Sequence, residues 1–78
     1  MQVKEETIGD VIVLLDGGVP AEYRYLERRF GRRGTDWDLV RQLLVTRDGR
    51  SFDELWINTK AGIQKIVFDI SAILPTSA

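Results

Sequence analysis

Apolar positions near the start of the chain recur at helical spacing. They fall at i, i+3, i+4 and i+7, at Ile8, Val11, Ile12 and Leu15. This stripe predicts an amphipathic helix over about 8–16 that ends at Gly17-Gly18. The run Val11-Ile12-Val13 is β-branched throughout, which favours a buried strand instead. Helix and strand therefore remain alternative interpretations of residues 8–15.

A second helix is predicted over about 20–30. Pro20 suits the first turn, and Glu22 suits the positive end of the helix dipole. Arg28 and Arg29 suit the negative end, after which Gly31 ends the helix. Its buried stripe comprises Tyr23, Leu26 and Phe30.

Three apolar segments then follow, separated by Asp48-Gly49 and Ala61-Gly62. They predict antiparallel strands over about 37–46, 50–59 and 63–71, joined by three-residue loops that end at Gly49 and Gly62. In this register the core face carries Val40, Leu44, Phe52, Trp56, Ile66 and Ile70, joined by Phe68. The predicted fold is a single α+β domain over 1–78, with one or two helices packed on a three-stranded meander.

The other face of the predicted meander is also apolar. It carries Leu39, Leu43, Val45, Leu55, Ile57, Ile63 and Val67. A solvated sheet face normally alternates to polar residues, so this face needs a cover. The candidate covers are the segment 8–15 and a second copy of the chain. Our hypothesis is a homodimer, with a self-association face made of Leu39, Leu43, Leu55, Ile57 and Val67.

The composition limits the kinds of catalytic and metal-binding site that the chain can form. The chain has 78 residues, 44% of them hydrophobic and 29% charged, and it contains neither histidine nor cysteine. The usual general base, thiol nucleophile and zinc ligands are therefore missing. No hydroxyl side chain is marked by a neighbouring base. We expect no enzyme activity, no cofactor and no catalytic or metal-binding residues.

One pair of acidic residues qualifies that expectation. The predicted register places Asp53 opposite Asp69, where two like charges need a cation such as Arg41 or Mg²⁺ between them. The alternatives are a solvated edge and a register that is wrong by one residue.

An arginine cluster lies at the end of the second helix. It consists of Arg28, Arg29, Arg32 and Arg33. Arginine pairs with carboxylates and phosphates, so the cluster is a candidate contact for an acidic protein or a nucleic acid. The structural alternative is helix capping and a solvated loop. If residues 36–45 were a helix rather than a strand, the element order would be compatible with a winged helix.

The sequence therefore favours a small protein-interaction or regulatory module. Its partner would be another protein or a second copy of the chain, with nucleic-acid binding as the alternative. The net charge of −1 gives no general attraction to anionic surfaces. The longest apolar run, Val11–Leu15, is too short to span a membrane. Residues 1–6 lack the features of a secretion signal, so we expect a cytoplasmic protein.

Overall fold

The computed structural model describes residues 5–16 and 19–73, apart from the side chains at 5, 6 and 19. Its elements are β1 (Glu5–Ile8), β2 (Val11–Leu14), α1 (Val19–Phe30), β3 (Trp37–Arg47), β4 (Arg50–Thr59) and β5 (Gly62–Asp69). The strands form one sheet in the order β1-β2-β5-β4-β3. β2 and β5 pair in parallel, and every other neighbouring pair is antiparallel.

The predicted helix over about 8–16 is wrong. β1 and β2 form a hairpin that turns at Gly9, where φ is +61°. Burial along β2 alternates as it does in a strand: Ile12 and Leu14 are buried, and Val11 and Val13 are half-buried. The β-branched run thus decides the local conformation. The predicted end of that helix at Gly17-Gly18 lies outside the described residues.

The predicted fold, one or two helices on a three-stranded antiparallel meander, is therefore also wrong. β2 lies beside β5 and pairs with it from Val11↔Val67 to Val13↔Asp69. This contact extends the sheet to five strands and makes it mixed. It also places β5 in the middle of the sheet, so that Phe68 has strands on both sides and is completely buried.

The predicted second helix is present as α1. Leu26 is completely buried, and Tyr23 and Phe30 pack against the core. The helix ends where the Gly31 N–H donates to the Glu27 carbonyl at 3.0 Å. α1 covers one face of the sheet, and the core between them consists of Ile12, Leu14, Ala21, Leu26, Trp37, Leu55, Ile57, Ile66, Phe68 and Ile70.

The predicted register of the hairpins is wrong by one residue. Asp48 and Gly49 both have positive φ, 53° and 76°, and form a two-residue turn that pairs Arg47 with Arg50. Such a turn matches the natural twist of the strands. Phe52 consequently opposes Val45 in place of Leu44.

The same displacement occurs in the second hairpin. Gly62 has the positive φ, 109°, that the predicted three-residue loop requires. It nevertheless pairs directly with Thr59, so the loop contains only Lys60 and Ala61. Trp56 therefore opposes Lys65 in place of Ile66. Because a one-residue slip moves side chains to the other face, Trp56 leaves the core and its neighbours Leu55 and Ile57 enter it.

Residues 36–45 do not form a helix. β3 begins at Trp37 and continues to Arg47, with a bulge between Leu39 and Arg41. The winged-helix arrangement needs a reading helix in this segment, so that variant of the fold is wrong.

A tight loop connects α1 to β3. Asp36 Oδ2 accepts a hydrogen bond of 2.7 Å from the Arg32 N–H, and Trp37 Nε1 donates to the Gly31 carbonyl at 2.9 Å. Gly31 has a φ of +109°, and a Cβ placed there would clash with Asp36 Oδ2. A side chain at position 31 would therefore break the contact that shapes the loop.

We expect Gly31→Ala to lower the free energy of unfolding by about 2 kcal/mol, because it adds a clash to backbone strain. Gly34→Ala is the matched control, since Gly34 also has a positive φ, +85°, but an added Cβ meets nothing within 4 Å. It should cost about 1 kcal/mol. Urea unfolding of both variants tests this, and equal losses would contradict the role of the Asp36 contact.

Candidate interaction surface on the open sheet face

The sheet has one face covered by α1 and one that no described helix or strand covers. We call the second the open face. From the pairing register it comprises Ile8, Val11, Val13, Asp38, Arg41, Leu43, Val45, Arg47, Arg50, Phe52, Glu54, Trp56, Asn58, Ile63, Lys65, Val67 and Asp69. Apolar side chains thus run across all five strands.

Several of these apolar side chains are substantially accessible. Ile8 is 62% exposed, Ile63 58% and Leu43 41%. Between β2 and β4 the face is hollowed into a depression of about 420 Å³, lined by Ile8, Val11, Val13, Arg50, Phe52 and Asp69. Contiguous accessible apolar surface of this kind is typical of a contact site.

Charged side chains are organised around Trp56 at one end of the open face. The guanidinium of Arg41 lies 5.1 Å from the ring centroid of Trp56, and Lys65 Nζ lies 5.3 Å from it. Lys65 also pairs with Glu54 at 3.4 Å. Trp56 therefore lies between two cations, and Glu54 neutralises one of them, Lys65.

A second ion pair occupies the middle of the face. Arg50 Nε donates to Asp69 Oδ2 at 2.9 Å. Burial alone would raise the pKa of Asp69, but hydrogen bonds from the Ser71 N–H and from Arg50 outweigh it and hold that pKa below its usual value. Asp69 thus remains ionised and fixes Arg50 in place.

Asp53 lies on the opposite face from Asp69, so the sheet does not bring the predicted pair together. Asp53 opposes Phe68, whereas Asp69 opposes Phe52. The cation interpretation depended on a register that is wrong by one residue. Among the described residues, no group of three or more acidic, histidine or cysteine side chains could hold a metal ion.

Asp53 belongs instead to a buried acidic pair beneath α1. Glu22 is only 1% exposed, and neither of its carboxyl oxygens meets a hydrogen-bond donor among described residues. Burial is the main cause that raises the pKa of Glu22 to about 9, and the neighbouring Asp53 raises it further. Asp53 Oδ2 accepts a 2.6 Å hydrogen bond from Gln42 Nε2. Glu22 therefore carries a proton at neutral pH.

The five predicted self-association residues do not share a face. Leu43 and Val67 lie on the open face, whereas Leu55 and Ile57 are completely buried under α1 and Leu39 packs beside them. The sequence reasoning missed Phe52 and Trp56 as open-face residues. The signal that could have found them is Asp48-Gly49, since this dipeptide favours a two-residue hairpin turn.

The arginine cluster is exposed, as a contact site would require, but three of its members lie against aromatic rings. Arg29 lies 4.9 Å from the ring centroid of Phe30, and Arg33 lies 5.1 Å from that of Tyr23. Arg33 also approaches Asp38 at 3.7 Å. Arg28 lies 6.0 Å from the ring of Tyr25, and the Arg32 backbone bonds to Asp36.

Over residues 5–16 and 19–73 the architecture is that of an α+β protein with one helix packed on a five-stranded mixed sheet. Searches of known protein families, of curated proteins and of solved structures found no match. In the described part of the chain no helix is long and apolar enough to cross a membrane.

Proposed function

We propose that this chain is a small non-enzymatic interaction module that forms a homodimer through its open face. The observation that carries the proposal is the one-sided packing of the sheet, which leaves Ile8, Leu43 and Ile63 accessible on the side away from α1. A second copy would bury the same residues against themselves in a two-fold interface.

The dimensions of the face support a dimer. β1 and β2 have four residues each, and β3, β4 and β5 have 11, 10 and 8. At about 3.3 Å per residue and about 4.8 Å between strands, the outline of the face is about 600 Å². This area is close to the ~600 Å² per partner at the small end of standard protein interfaces.

Most of the charges on the face are compatible with a second copy as the occupant. Lys65 pairs with Glu54, and Arg50 pairs with Asp69, so these four side chains add little repulsion between two identical faces. The other two cations of the face, Arg41 and Arg47, both lie on the edge strand β3. A two-fold arrangement that keeps the two copies of β3 apart would avoid bringing these cations together.

We expect Leu43→Lys to weaken self-association at least tenfold, because it inserts a charge into the apolar part of the interface. Leu44→Lys is the matched control. Leu44 is the next residue of β3 and is 59% exposed, but it opposes Asp53 and so faces the other side of the sheet. Sedimentation equilibrium from low to high micromolar concentration measures both variants.

Two outcomes would contradict the proposal. Monomer alone at high micromolar concentration of the unmodified chain would rule out the homodimer. Dissociation by Leu44→Lys but not by Leu43→Lys would show that the interface lies on the sheet face that α1 covers, and not on the open face. Circular dichroism of both variants confirms that any dissociation occurs in folded protein.

Nucleic-acid binding through the arginine cluster stays a prediction from the sequence. The contacts of Arg29 with Tyr25 and Phe30, and of Arg33 with Asp38, support a structural role for half of the cluster. The cytoplasmic location and the regulatory role likewise stay predictions.

A further inference from the structure

The middle strand of the sheet has an unpaired stretch on one side. β5 extends over Gly62–Asp69, but β2 pairs only with Val67, Phe68 and Asp69. In the described chain, no strand lies beside Gly62–Ile66 on the side opposite β4. Alternate backbone N–H and C=O groups of this stretch therefore point away from β4 and have no strand partner.

The unpaired stretch borders a cleft of about 600 Å³. The cleft is lined by Thr7, Gly9 and Asp10 at the β1–β2 turn, by Tyr25 and Arg29 of α1, and by Ile12 and Gln64–Val67 of the sheet. Ile12 and Ile66 are buried. The cleft thus combines an apolar floor with a strand edge along one side.

Arg29 is held in the wall of this cleft. Its Nη1 donates to the Tyr25 hydroxyl at 3.0 Å, and its guanidinium stacks on Phe30. No described carboxylate forms an ion pair with Arg29, whereas Lys65 is paired with Glu54. The remaining donors of a guanidinium fixed in this way favour a carboxylate.

We propose that the cleft binds an extended peptide that pairs with Gly62–Ile66 and directs an acidic side chain to Arg29. The peptide would lie in line with β2, beyond its hairpin turn, and fill the gap left beside β5. A stretch of this length extends about 16 Å, which suits four or five residues of an extended chain. Backbone pairing would supply affinity, and Arg29 would select the acidic side chain.

The test uses the full chain and a short blocked peptide of alternating valine and glutamate. We expect titration to shift the backbone amide resonances of Gly62–Ile66 and the Arg29 Nε resonance, and to slow hydrogen exchange in that stretch. A peptide with lysine in place of glutamate should bind about tenfold more weakly. A backbone N-methylated glutamate peptide should also bind weakly, because it lacks the donors needed for pairing.

Arg29→Gln should weaken binding of the glutamate peptide about tenfold. Arg24→Gln is the matched control, because Arg24 is exposed on the same helix and does not line the cleft. No shift at Gly62–Ile66 at millimolar peptide, or equal binding of the glutamate and N-methylated peptides, would overturn the proposal. Shifts confined to Arg29 would identify a site for anions alone and overturn it too. The Arg29 signal distinguishes peptide binding from dimerisation, since Arg29 lies on α1, away from the open face, whereas Ile63 and Lys65 belong to both surfaces.

Discussion

Glu22→Gln is expected to stabilise the fold at pH 7 by on the order of 3 kcal/mol, with a gain that grows as pH rises. Glu22 is buried with Asp53 as its acidic neighbour, and its pKa is raised from 4.5 to about 9. Glutamine keeps the shape and the donor of the protonated acid. It removes the cost of keeping the proton bound.

The sign of the effect follows from proton binding. Between the ordinary pKa of 4.5 and the folded value of about 9, the folded chain holds a proton on Glu22 that the unfolded chain releases. The free energy of unfolding therefore falls with pH in this window, by up to about 1.4 kcal/mol per pH unit from this group. Below the window the glutamate and the glutamine variant should have similar stability.

Urea unfolding at a series of pH values measures this difference. Glu27→Gln is the matched control, because Glu27 is an exposed glutamate on the same helix. A difference between Glu22→Gln and the unmodified chain that is constant from pH 5 to pH 9 would mean that Glu22 is ionised in the folded state.

Phe68→Ala is expected to lower the free energy of unfolding by about 3–5 kcal/mol. Phe68 is completely buried in the middle strand and makes an edge contact with Tyr25, whose ring centroid lies 5.5 Å away. A domain of 78 residues has a total stability of roughly 4–12 kcal/mol. Much of the variant should therefore be unfolded or close to unfolding at 37 °C.

Phe52→Ala is the matched control for Phe68→Ala. Phe52 is half-buried on the open face of the neighbouring strand, so we expect its loss to cost about 1 kcal/mol in the monomer. Thermal unfolding at low protein concentration compares the two without a contribution from association. Equal losses would contradict the register that places the two phenylalanines on opposite faces.

Local signals in the sequence were sufficient for α1 and for the presence of three strands after it. Pro20, Glu22 and the two arginines at 28 and 29 mark the ends of the helix, and each acts within one or two turns. The segment 8–15 was ambiguous because Ile8, Val11, Ile12 and Leu15 fit a helical period while the same stretch is β-branched. In the structure the β-branched preference prevails, and the segment forms a hairpin that turns at Gly9.

The sequence predicts that one sheet face is apolar and uncovered, but it does not predict correctly which residues form that face. An apolar surface without a cover follows from the excess of apolar residues in β3, β4 and β5. Its members depended on the turn at Asp48-Gly49, because one residue more or less in a loop exchanges the two faces of a strand. The expectation of Asp53 opposite Asp69 was wrong for the same reason.

The amino-acid sequence by itself thus determined α1, the approximate positions of three strands and the absence of histidine and cysteine chemistry, since these depend on neighbouring residues or on composition. The tertiary structure alone decided that β2 pairs in parallel with β5, that Glu22 and Asp53 are buried together, and that Gly62–Ile66 borders a cleft. Each of these features joins residues far apart in the chain. Their contact depends on the packing of the whole domain, which no local pattern encodes.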